Sequence, residues 1–331
     1  MSFAYITEEG VYVRKRGERF RVERNQEVIL EIPGNVLEGL VLIDGVQVSS
    51  QAMVEFLRLG VPVTWISQRG KFFGRLESTQ HVNVDRQARQ IALQGSVFFL
   101  KLSKRVIRAK VHNQLTLLRR YNRRAQLPEI EGVIRKILAM RENILRAENT
   151  ARLMGYEGII ARMYFEALGK LVPEGFPFSR RSRQPPLDEV NSMLSFGYTL
   201  LLYEVYTALV VRGLHPYFGF LHVLRNHHPA LASDLLEEWR AAVVDSMVLS
   251  LLHHHEILPE HFERDSKEKG IYLTREGRHI FLAAYEKKLR TVNHYMSGEF
   301  SYRQSLPHQA ESFAQAMMAE REEGYEPLLL R

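Results

Sequence analysis

The stretch LHVLRNHHPALASDLLEEWR, residues 221–240, holds three histidines and three carboxylates within twenty residues. Imidazole and carboxylate groups are the side chains from which divalent-metal sites are built. A similar mixture arises wherever a polar loop leads into a solvated helix. The composition is therefore compatible with a metal site and with a polar loop that leads into a solvated helix. The spacing of the residues has to distinguish the two.

A helix is predicted from Pro229 onward, because proline suits the first turn and apolar residues follow at helical spacing. Its buried side is expected to carry Leu231, Leu235, Trp239 and Val243. Asp234, Glu237 and Glu238 lie three and four residues apart, so either glutamate can project beside Asp234. The competing interpretation is a solvated acidic stripe that continues to Asp245.

The histidines differ in their surroundings. His222 lies between apolar neighbours in GFLHVL, whereas His227 and His228 lie among loop-forming residues. An apolar setting lowers the pKa of an imidazole and keeps it in the neutral form that binds metal. A lone histidine in such a setting is nonetheless more often an ordinary core residue.

The triplet His253, His254 and His255 suggests a zinc site by composition alone. Consecutive residues of a helix point about 100° apart and cannot converge on one ion. We therefore expect surface or helix-end histidines there, and a zinc hydrolase ranks last among the hypotheses.

A carboxylate on an apolar face lies in NTARLMGYEGIIARMYFEAL. Glu157 shares the stripe of Leu153, Ile160 and Tyr164, where an unpaired charge costs several kcal/mol unless it is neutralised or bound to a cation. Gly155 and Gly158 flank Glu157 and suggest close packing against this turn. A buried glutamate paired with an arginine explains the pattern as well as a metal ligand does.

The elements that must position these groups fall into two regions. Residues 1–77 alternate short apolar runs with glycine-containing breaks and predict a β-rich domain, with one helix in SSQAMVEFLRLG. Residues 78–83 are the expected linker. Residues 84–331 show helical periodicity to about residue 320, which predicts a larger all-α domain and an α+β class for the whole chain.

Basic residues concentrate in the first helical segment. From Arg86 to Pro128 there are eleven Lys or Arg residues and no Asp or Glu. Such a block is either a solvated helix face or a surface that follows phosphates. A second cluster, SRRSRQPP, carries Arg180, Arg181 and Arg183 in a Pro-rich loop, and two separate clusters favour an extended polyanion.

The totals narrow the class of protein. Its 331 residues favour two domains, and the net charge of +7 favours polyanionic partners. The chain has no cysteine, which leaves His, Asp and Glu as metal ligands. The acidic start MSFAYITEEG does not resemble a signal peptide, and we expect no membrane span and a cytoplasmic location.

These residues together predict a basic protein with a Glu, His and Asp or Glu metal site in its helical part. A hard cation such as Mg²⁺ or Mn²⁺, held by carboxylates beside basic grooves, suits phosphodiester chemistry.

At these same residues the chain resembles the CRISPR-associated integrase family, the catalytic "Cas one" subunit of the complex that inserts spacers into CRISPR arrays. The resemblance is carried by LMGYEGIIARMYF, RRSRQPPLDEVNSMLSFGYTLL, HPYFGFLH, LASDLLEEWR and the terminal YEPLLLR. These motifs occur in the family's order across about residues 150 to 331.

The resemblance implies a set of site residues. Glu157, His222 and Glu237 take the places of the metal ligands, and Asp234 matches the neighbouring acidic position, which belongs to the catalytic site. Some members have Asp where this chain has Glu237. The remaining histidines of the opening stretch and Glu238 are then expected in the loop and on the surface.

The resemblance also implies the reaction and its partners. A 3′-hydroxyl of the incoming DNA would attack a phosphodiester at the edge of the repeat, and water in its place would give endonuclease activity. The β-rich domain would form a homodimer, and two such dimers would flank a dimer of a small ferredoxin-like subunit, "Cas two". The alternative is a non-catalytic, basic nucleic-acid-binding scaffold.

Overall fold

The computed structural model describes residues 2–331 of the chain. Two compact units are present, Met1–Val82 and Asn83–Arg331. The first is built mainly from strands and the second mainly from helices. The α+β class expected from the sequence is therefore confirmed.

The N-terminal unit contains eight strands and one helix among its described residues. The strands are β1 Ser2–Ile6, β2 Tyr12–Arg16, β3 Arg19–Arg24, β4 Glu27–Pro33, β5 Leu37–Ile43, β6 Gln47–Val48, β7 Val63–Ile66 and β8 Phe72–Leu76, and the helix is α1 Ser50–Leu59. The short β6 was not anticipated, because two residues carry no readable alternation.

The strands of this unit form two four-stranded sheets, in the orders β1-β5-β7-β8 and β4-β3-β2-β6. Strand β5 pairs in parallel with both β1 and β7. Its sequence LEGLVLI is apolar almost throughout because a central parallel strand is covered on both faces. Strand β4 lies at the edge of the second sheet and exposes Val28, Ile29 and Leu30.

Helix α1 has the boundaries that its sequence indicates. The Ser49 side chain accepts a hydrogen bond from the Ala52 backbone N–H, and Gly60 ends the helix with a φ of 68°. These are the N-cap and left-handed C-cap expected of serine and glycine. The predicted helix is confirmed.

The larger unit is formed by nine α-helices among the residues that the structure describes. They are α2 Val84–Ala92, α3 Val97–Ala125, α4 Pro128–Arg146, α5 Thr150–Gly169, α6 Glu189–Val211, α7 Ala230–Leu236, α8 Ser246–His253, α9 Arg275–Arg290 and α10 Tyr302–Ala319. A π-helical segment, Arg240–Asp245, precedes α8. Short 3₁₀ turns lie at Pro259–His261 and Glu322–Gly324 in this unit, and at Gly34–Val36 and Thr79–His81 in the N-terminal unit.

Two hairpins interrupt the helices of this unit, which the sequence predicts to be helical to about residue 320. They pair β9 Phe262–Arg264 with β10 Ile271–Leu273, and β11 Val292–Tyr295 with β12 Gly298–Ser301. Strands this short escape recognition by periodicity. The turn of the second hairpin places Met296 at a φ of 52°.

Helix α6 has the length and mean hydropathy of a membrane span, with a hydropathy of 1.5 over its most apolar window. The expectation that no segment reaches this length and hydropathy is therefore wrong for α6. The window is 67% buried inside the fold. The helix is apolar on nearly every side because it packs against α7, α10 and the π segment.

The core of the N-terminal unit supplies a stability prediction. The rings of Phe20 and Phe56 stack with centroids 4.0 Å apart, and both side chains are buried. We expect Phe56→Ala to lower the free energy of unfolding of this unit by about 3–5 kcal/mol, because the cavity cannot be refilled. Hydrogen exchange of residues 2–82 measures the loss.

The matched control is Val54→Ala, which removes an exposed side chain from the same helix. It should change protection by less than about 0.5 kcal/mol. Equal protection in the two variants would contradict the assignment of Phe56 to the core.

Candidate metal and phosphodiester site

Helix α5 places Glu157 where its apolar stripe indicates. Leu153, Ile160 and Tyr164 on that stripe are fully buried. The Glu157 carboxylate accepts a hydrogen bond from the Lys110 ammonium of α3. Glu157 is therefore paired, and its partner is a lysine rather than an arginine.

Lys110 is a functional candidate that the sequence analysis missed. It lies on the buried stripe of α3 with Val106, Asn113 and Leu117, and 7% of its surface is exposed. Its Nζ lies 2.5 Å from Glu237 Oε2, so one ammonium contacts two carboxylates. Lys110, like Glu157, is a charged residue on an apolar helix face.

Glu237 follows the last residue of α7 and is almost fully buried. Its Oε1 lies 3.3 Å from Arg240 Nε. Burial raises the pKa of Glu237, but the charges of Arg240 and Lys110 outweigh burial and hold the pKa well below its usual range. The second oxygen, Oε2, contacts the Lys110 ammonium and no other polar group of the described residues.

His222 faces Glu237 with one ring nitrogen and Asp234 with the other. Its Nδ1 lies 2.6 Å from Asp234 Oδ1, and its Nε2 lies 3.8 Å from Glu237 Oε1. A carboxylate next to Nδ1 holds the imidazole proton on Nδ1 and leaves Nε2 unprotonated, with a lone pair. This arrangement is common in metal-bound histidines.

The expected direction of the His222 pKa shift is wrong. Burial does lower the pKa, but the hydrogen bond and the charge of Asp234 outweigh burial, so the pKa of His222 is raised. The sequence shows the apolar neighbours of His222 and cannot show a carboxylate that approaches from twelve residues away.

Asp234 is completely buried and holds the loop that carries His222. Its two carboxylate oxygens accept backbone N–H bonds from Phe220, Leu221 and His222 at 2.6–3.0 Å. A Cβ on Gly219 would lie 2.4 Å from Asp234 Oδ2, so glycine is needed for this approach. Asp234 thus positions His222, and its oxygens are occupied.

The expectation that Glu238 lies on the surface is wrong. Its side chain is fully buried and accepts hydrogen bonds from Tyr325 Oη at 2.7 Å, Leu328 N at 2.8 Å and Gln309 Nε2 at 3.2 Å. Burial outweighs these donors and raises the pKa of Glu238 to about 8. Glu238 holds the C-terminal segment against the turn that carries Glu237.

Asp245 does not continue a solvated acidic stripe. It is buried, accepts a hydrogen bond from Tyr164 Oη at 2.6 Å, and accepts another from Tyr198 Oη. The π segment contains one extra residue in its turn, which rotates the residues that follow by roughly 100° around the helix axis. Asp245 therefore lies on a different helix face from the one that regular α-helical spacing predicts. The solvated interpretation is thereby contradicted for Asp245.

The Tyr198 ring connects this aspartate to the basic residues of the site. The Arg240 guanidinium carbon lies 4.6 Å from the ring centroid, and that of Arg181 lies 5.4 Å away. Arg240 therefore contacts the ring of Tyr198 as well as the Glu237 carboxylate, which restricts its position.

The three arginines of the Pro-rich loop differ in exposure. Arg180 and Arg183 are exposed, whereas Arg181 is partly buried. The Arg181 guanidinium donates to Asn191 Oδ1 at 2.8 Å and to Ser195 Oγ at 2.9 Å. Arg181 thus anchors its loop to α6, and Arg180 and Arg183 are free to meet a ligand.

The surface beside Glu157 is open. The expectation that Gly155 and Gly158 mark close packing is wrong, because a Cβ at either position would have no atom within 4 Å among the described residues. Both glycines are exposed. Their lack of side chains leaves room for a large substrate next to the carboxylate.

Of the remaining histidines in residues 221–228 and 253–255, His228 lies beside His222, and the others are exposed. His227 is exposed in the loop after His222, and His228 is partly buried, with its ring centroid 6.0 Å from that of His222. His253, His254 and His255 are exposed at the end of α8. Within residues 2–331, no three His, Asp or Glu side chains are already arranged as a complete metal site.

Comparison with known proteins points to one family. Residues 4–287 match the family model described as CRISPR associated protein Cas1. The chain is 35% identical over 332 residues to the CRISPR-associated endonuclease Cas1 3 of Thermus thermophilus, which covers 99% of this chain and 97% of that protein.

Two solved structures have a similar fold. A casposase bound to integration product superposes with a TM-score of 0.83 at 20% identity and covers 100% of this chain and 96% of that chain. A chain of a Cas6-RT-Cas1–Cas2 complex gives a TM-score of 0.88 at 22% identity, covering 100% of this chain. This chain corresponds to 36% of the length of the latter.

The Glu238 contacts predict a coupling between the site and the C-terminal segment. We expect Glu238→Ala to lower the free energy of unfolding by about 2–4 kcal/mol, since three buried donors lose their acceptor. Denaturant unfolding measures this loss. Hydrogen exchange should become faster in residues 325–331.

Two controls separate this effect from a simple change of charge. Glu238→Gln keeps one acceptor oxygen, so its free energy of unfolding should fall by less than half as much as that of Glu238→Ala. Glu166→Ala removes an exposed carboxylate from α5 and serves as the control for loss of charge. Unchanged exchange of residues 325–331 in Glu238→Ala would show that Glu238 does not hold that segment.

Proposed function

Because the chain belongs to the Cas1 family, we propose that it is a DNA endonuclease and integrase of CRISPR adaptation whose active site is formed by Glu157, His222 and Glu237. The observation that carries this proposal is that Glu157 and Glu237 share the Lys110 ammonium, while His222 Nε2 lies 3.8 Å from Glu237 Oε1. Residues 80 positions apart in the sequence meet there beside an open surface.

We propose Mg²⁺ or Mn²⁺ as the ion of this site. Two carboxylates and one imidazole with a free Nε2 are a donor set that such ions accept. The same carboxylates already share one cation, the Lys110 ammonium. Glu157, His222 and Glu237 would hold the ion, and the Lys110 ammonium would move aside.

The ion would polarise a phosphoryl oxygen and lower the barrier to attack by a hydroxyl group. Asp234 keeps the His222 proton on Nδ1, so Nε2 stays available as a ligand. The Arg240 guanidinium, held by the Tyr198 ring and Glu237, places a second positive charge beside the reacting phosphate.

The proposed reaction is a transesterification. The 3′-oxygen of the incoming strand forms a bond to phosphorus while the bond from phosphorus to the 3′-oxygen of the target strand breaks. The attacking hydroxyl loses its proton, and the departing oxygen gains one. With water as the nucleophile, the same groups would hydrolyse the phosphodiester, which corresponds to the endonuclease name of the Thermus thermophilus relative.

The proposed partners are DNA, a Cas2 subunit and a second copy of this chain. The Cas6-RT-Cas1–Cas2 complex supports the Cas2 partner, and the casposase bound to integration product supports DNA as substrate. The edge strand β4, with exposed Val28, Ile29 and Leu30, offers the N-terminal unit a surface for the homodimer. Exposed Arg180 and Arg183 are proposed DNA contacts, and Arg181 would support them.

The first test is strand transfer into a supercoiled plasmid that carries a repeat. We expect Glu157→Gln, His222→Ala and Glu237→Gln to reduce Mn²⁺-dependent transfer on the order of 100-fold or more, because each removes a ligand or its charge. DNA binding in EDTA should change by less than about twofold, since the positive groups are retained.

Matched controls are available within the same elements. Glu166→Ala on α5 and His227→Ala in the loop after His222 remove exposed groups of the same types and should keep full activity. Strand transfer that persists in all three site variants, or that is insensitive to EDTA, would favour a non-catalytic nucleic-acid-binding scaffold.

A second test uses stability rather than activity. Lys110→Met leaves the Glu157 and Glu237 carboxylates close together without their shared cation, so we expect a lower melting temperature in EDTA. Mn²⁺ should restore this stability and bind the variant at least about tenfold more tightly than wild type, because no ammonium has to be displaced.

Thermal unfolding and calorimetric titration measure both effects. Arg108→Met removes an exposed cation from the same helix and should behave like wild type. Adding Glu237→Gln to Lys110→Met should recover stability in EDTA and abolish the Mn²⁺ effect. A Lys110→Met variant that is as stable as wild type in EDTA would contradict the charge arrangement.

A further inference from the structure

A second basic cleft lies in the helical unit, where the C-terminal ends of α3, α5, α8 and α9 come together. Its volume is about 930 Å³, and it includes none of Glu157, His222 and Glu237. Its cationic lining residues are Arg120, Arg124, Lys170, Lys287 and Lys288. The lining contains one carboxylate, that of Glu256, so the cleft carries a large excess of positive charge.

The cations of this cleft lack the carboxylate partners that other basic residues have. Within residues 2–331, none of the five pairs with an Asp or Glu side chain, and the Arg120 guanidinium donates to the main-chain oxygen of Arg331 at 3.2 Å. Elsewhere in the same basic segment, Arg86 pairs with Glu311 and Lys101 with Glu322. Some basic residues of the segment are thus paired with carboxylates inside the unit, whereas Arg120 and Arg124 at the end of α3 have no acidic side chain as a partner.

A simpler explanation for the clustering of these cations is their position near helix C-termini. A cation there interacts favourably with the helix dipole, by about 0.3–1 kcal/mol. Lys288 does not fit that explanation. It is partly buried, its Nζ lies 4.9 Å from the Tyr302 ring centroid, and burial with repulsion from Arg120 lowers its pKa to about 8. A helix dipole would raise this pKa instead, and a bound anion would offset the repulsion between the two cations.

Aromatic side chains lie among these cations. The rings of Tyr121 and His253 are 5.3 Å apart between centroids, and both line the cleft. The His253 ring is held by Nε2, 2.8 Å from the Leu171 carbonyl oxygen. Positive charge beside aromatic faces is the combination that binds single-stranded nucleic acid, through phosphates and stacked bases.

We propose that this cleft is a second nucleic-acid site, which binds a single-stranded segment through its phosphates. At 1.5 Å per residue, Arg120 and Arg124 lie roughly 15–20 Å along α3 from Lys110. The cleft is therefore separate from the Glu157 site. Binding here needs neither the metal nor the reaction, so it can be tested apart from the proposed function.

The experiment measures binding of a fluorescent oligo-dT to the full chain in EDTA, over a range of salt concentrations. The test variant is Arg120→Gln/Arg124→Gln. Its control is Arg119→Gln/Arg123→Gln, which removes the same charge from exposed neighbours on the same helix that do not line the cleft. A duplex of the same length and a poly-glutamate peptide serve as comparison ligands.

We expect the test variant to bind oligo-dT about tenfold more weakly and to show a shallower salt dependence, by about 0.7 per lost phosphate contact. The control should change affinity by less than twofold. Oligo-dT should also raise the melting temperature of the wild type and of the control, but not that of the test variant.

Three results would overturn the proposal. If oligo-dT binding were weakened equally in the test and control variants, the effect would come from overall charge and not from the cleft. A loss of duplex or poly-glutamate binding with oligo-dT binding unchanged would assign the cleft to a different ligand. Unchanged binding in both variants would show that no nucleic acid contacts the cleft.

Discussion

The positive charge of one buried ammonium balances the negative charges of two carboxylates, and three segments of the helical unit meet at these groups. Glu157 on α5 and Glu237 after α7 both contact Lys110 of α3, and all three side chains are largely removed from water. A buried charge costs several kcal/mol unless it is paired, so none of these helices can move away from the other two alone. Charge balance therefore brings together segments that are far apart in the sequence.

The remaining carboxylates of the 230–245 segment each stabilise a different part of the unit. Asp234 binds the backbone of the loop that carries His222, Glu238 binds the C-terminal segment, and Asp245 binds two tyrosine hydroxyls. Their acceptor capacity is used within the protein. Glu237 is the carboxylate of this segment that faces cations and an imidazole instead, which leaves it available for a ligand.

The sequence predicts most of the fold and part of the site. Periodicity finds the strands of the N-terminal unit except the two-residue β6, and it finds the major helices, whereas the short hairpins of the helical unit escape it. A charge on an apolar helix face indicates Glu157, and the same feature indicates Lys110. The burial of Glu238 could not be predicted, because its partners lie about 70 to 90 residues away. The face of Asp245 depends on a π turn, which helical periodicity does not reveal.

The site retains polar groups whose hydrogen bonds are incomplete. Glu237 Oε2 and Arg240 Nε are buried, lie within ion-pair distance of opposite charges, and form no hydrogen bond to the residues described. Nearly all buried polar atoms in folded proteins are satisfied, so an incomplete set of hydrogen bonds at this site is compatible with a ligand that supplies the missing partner. Asp234 and Glu238 on either side are bonded to the backbone of neighbouring segments and hold the turn that carries Glu237 in place.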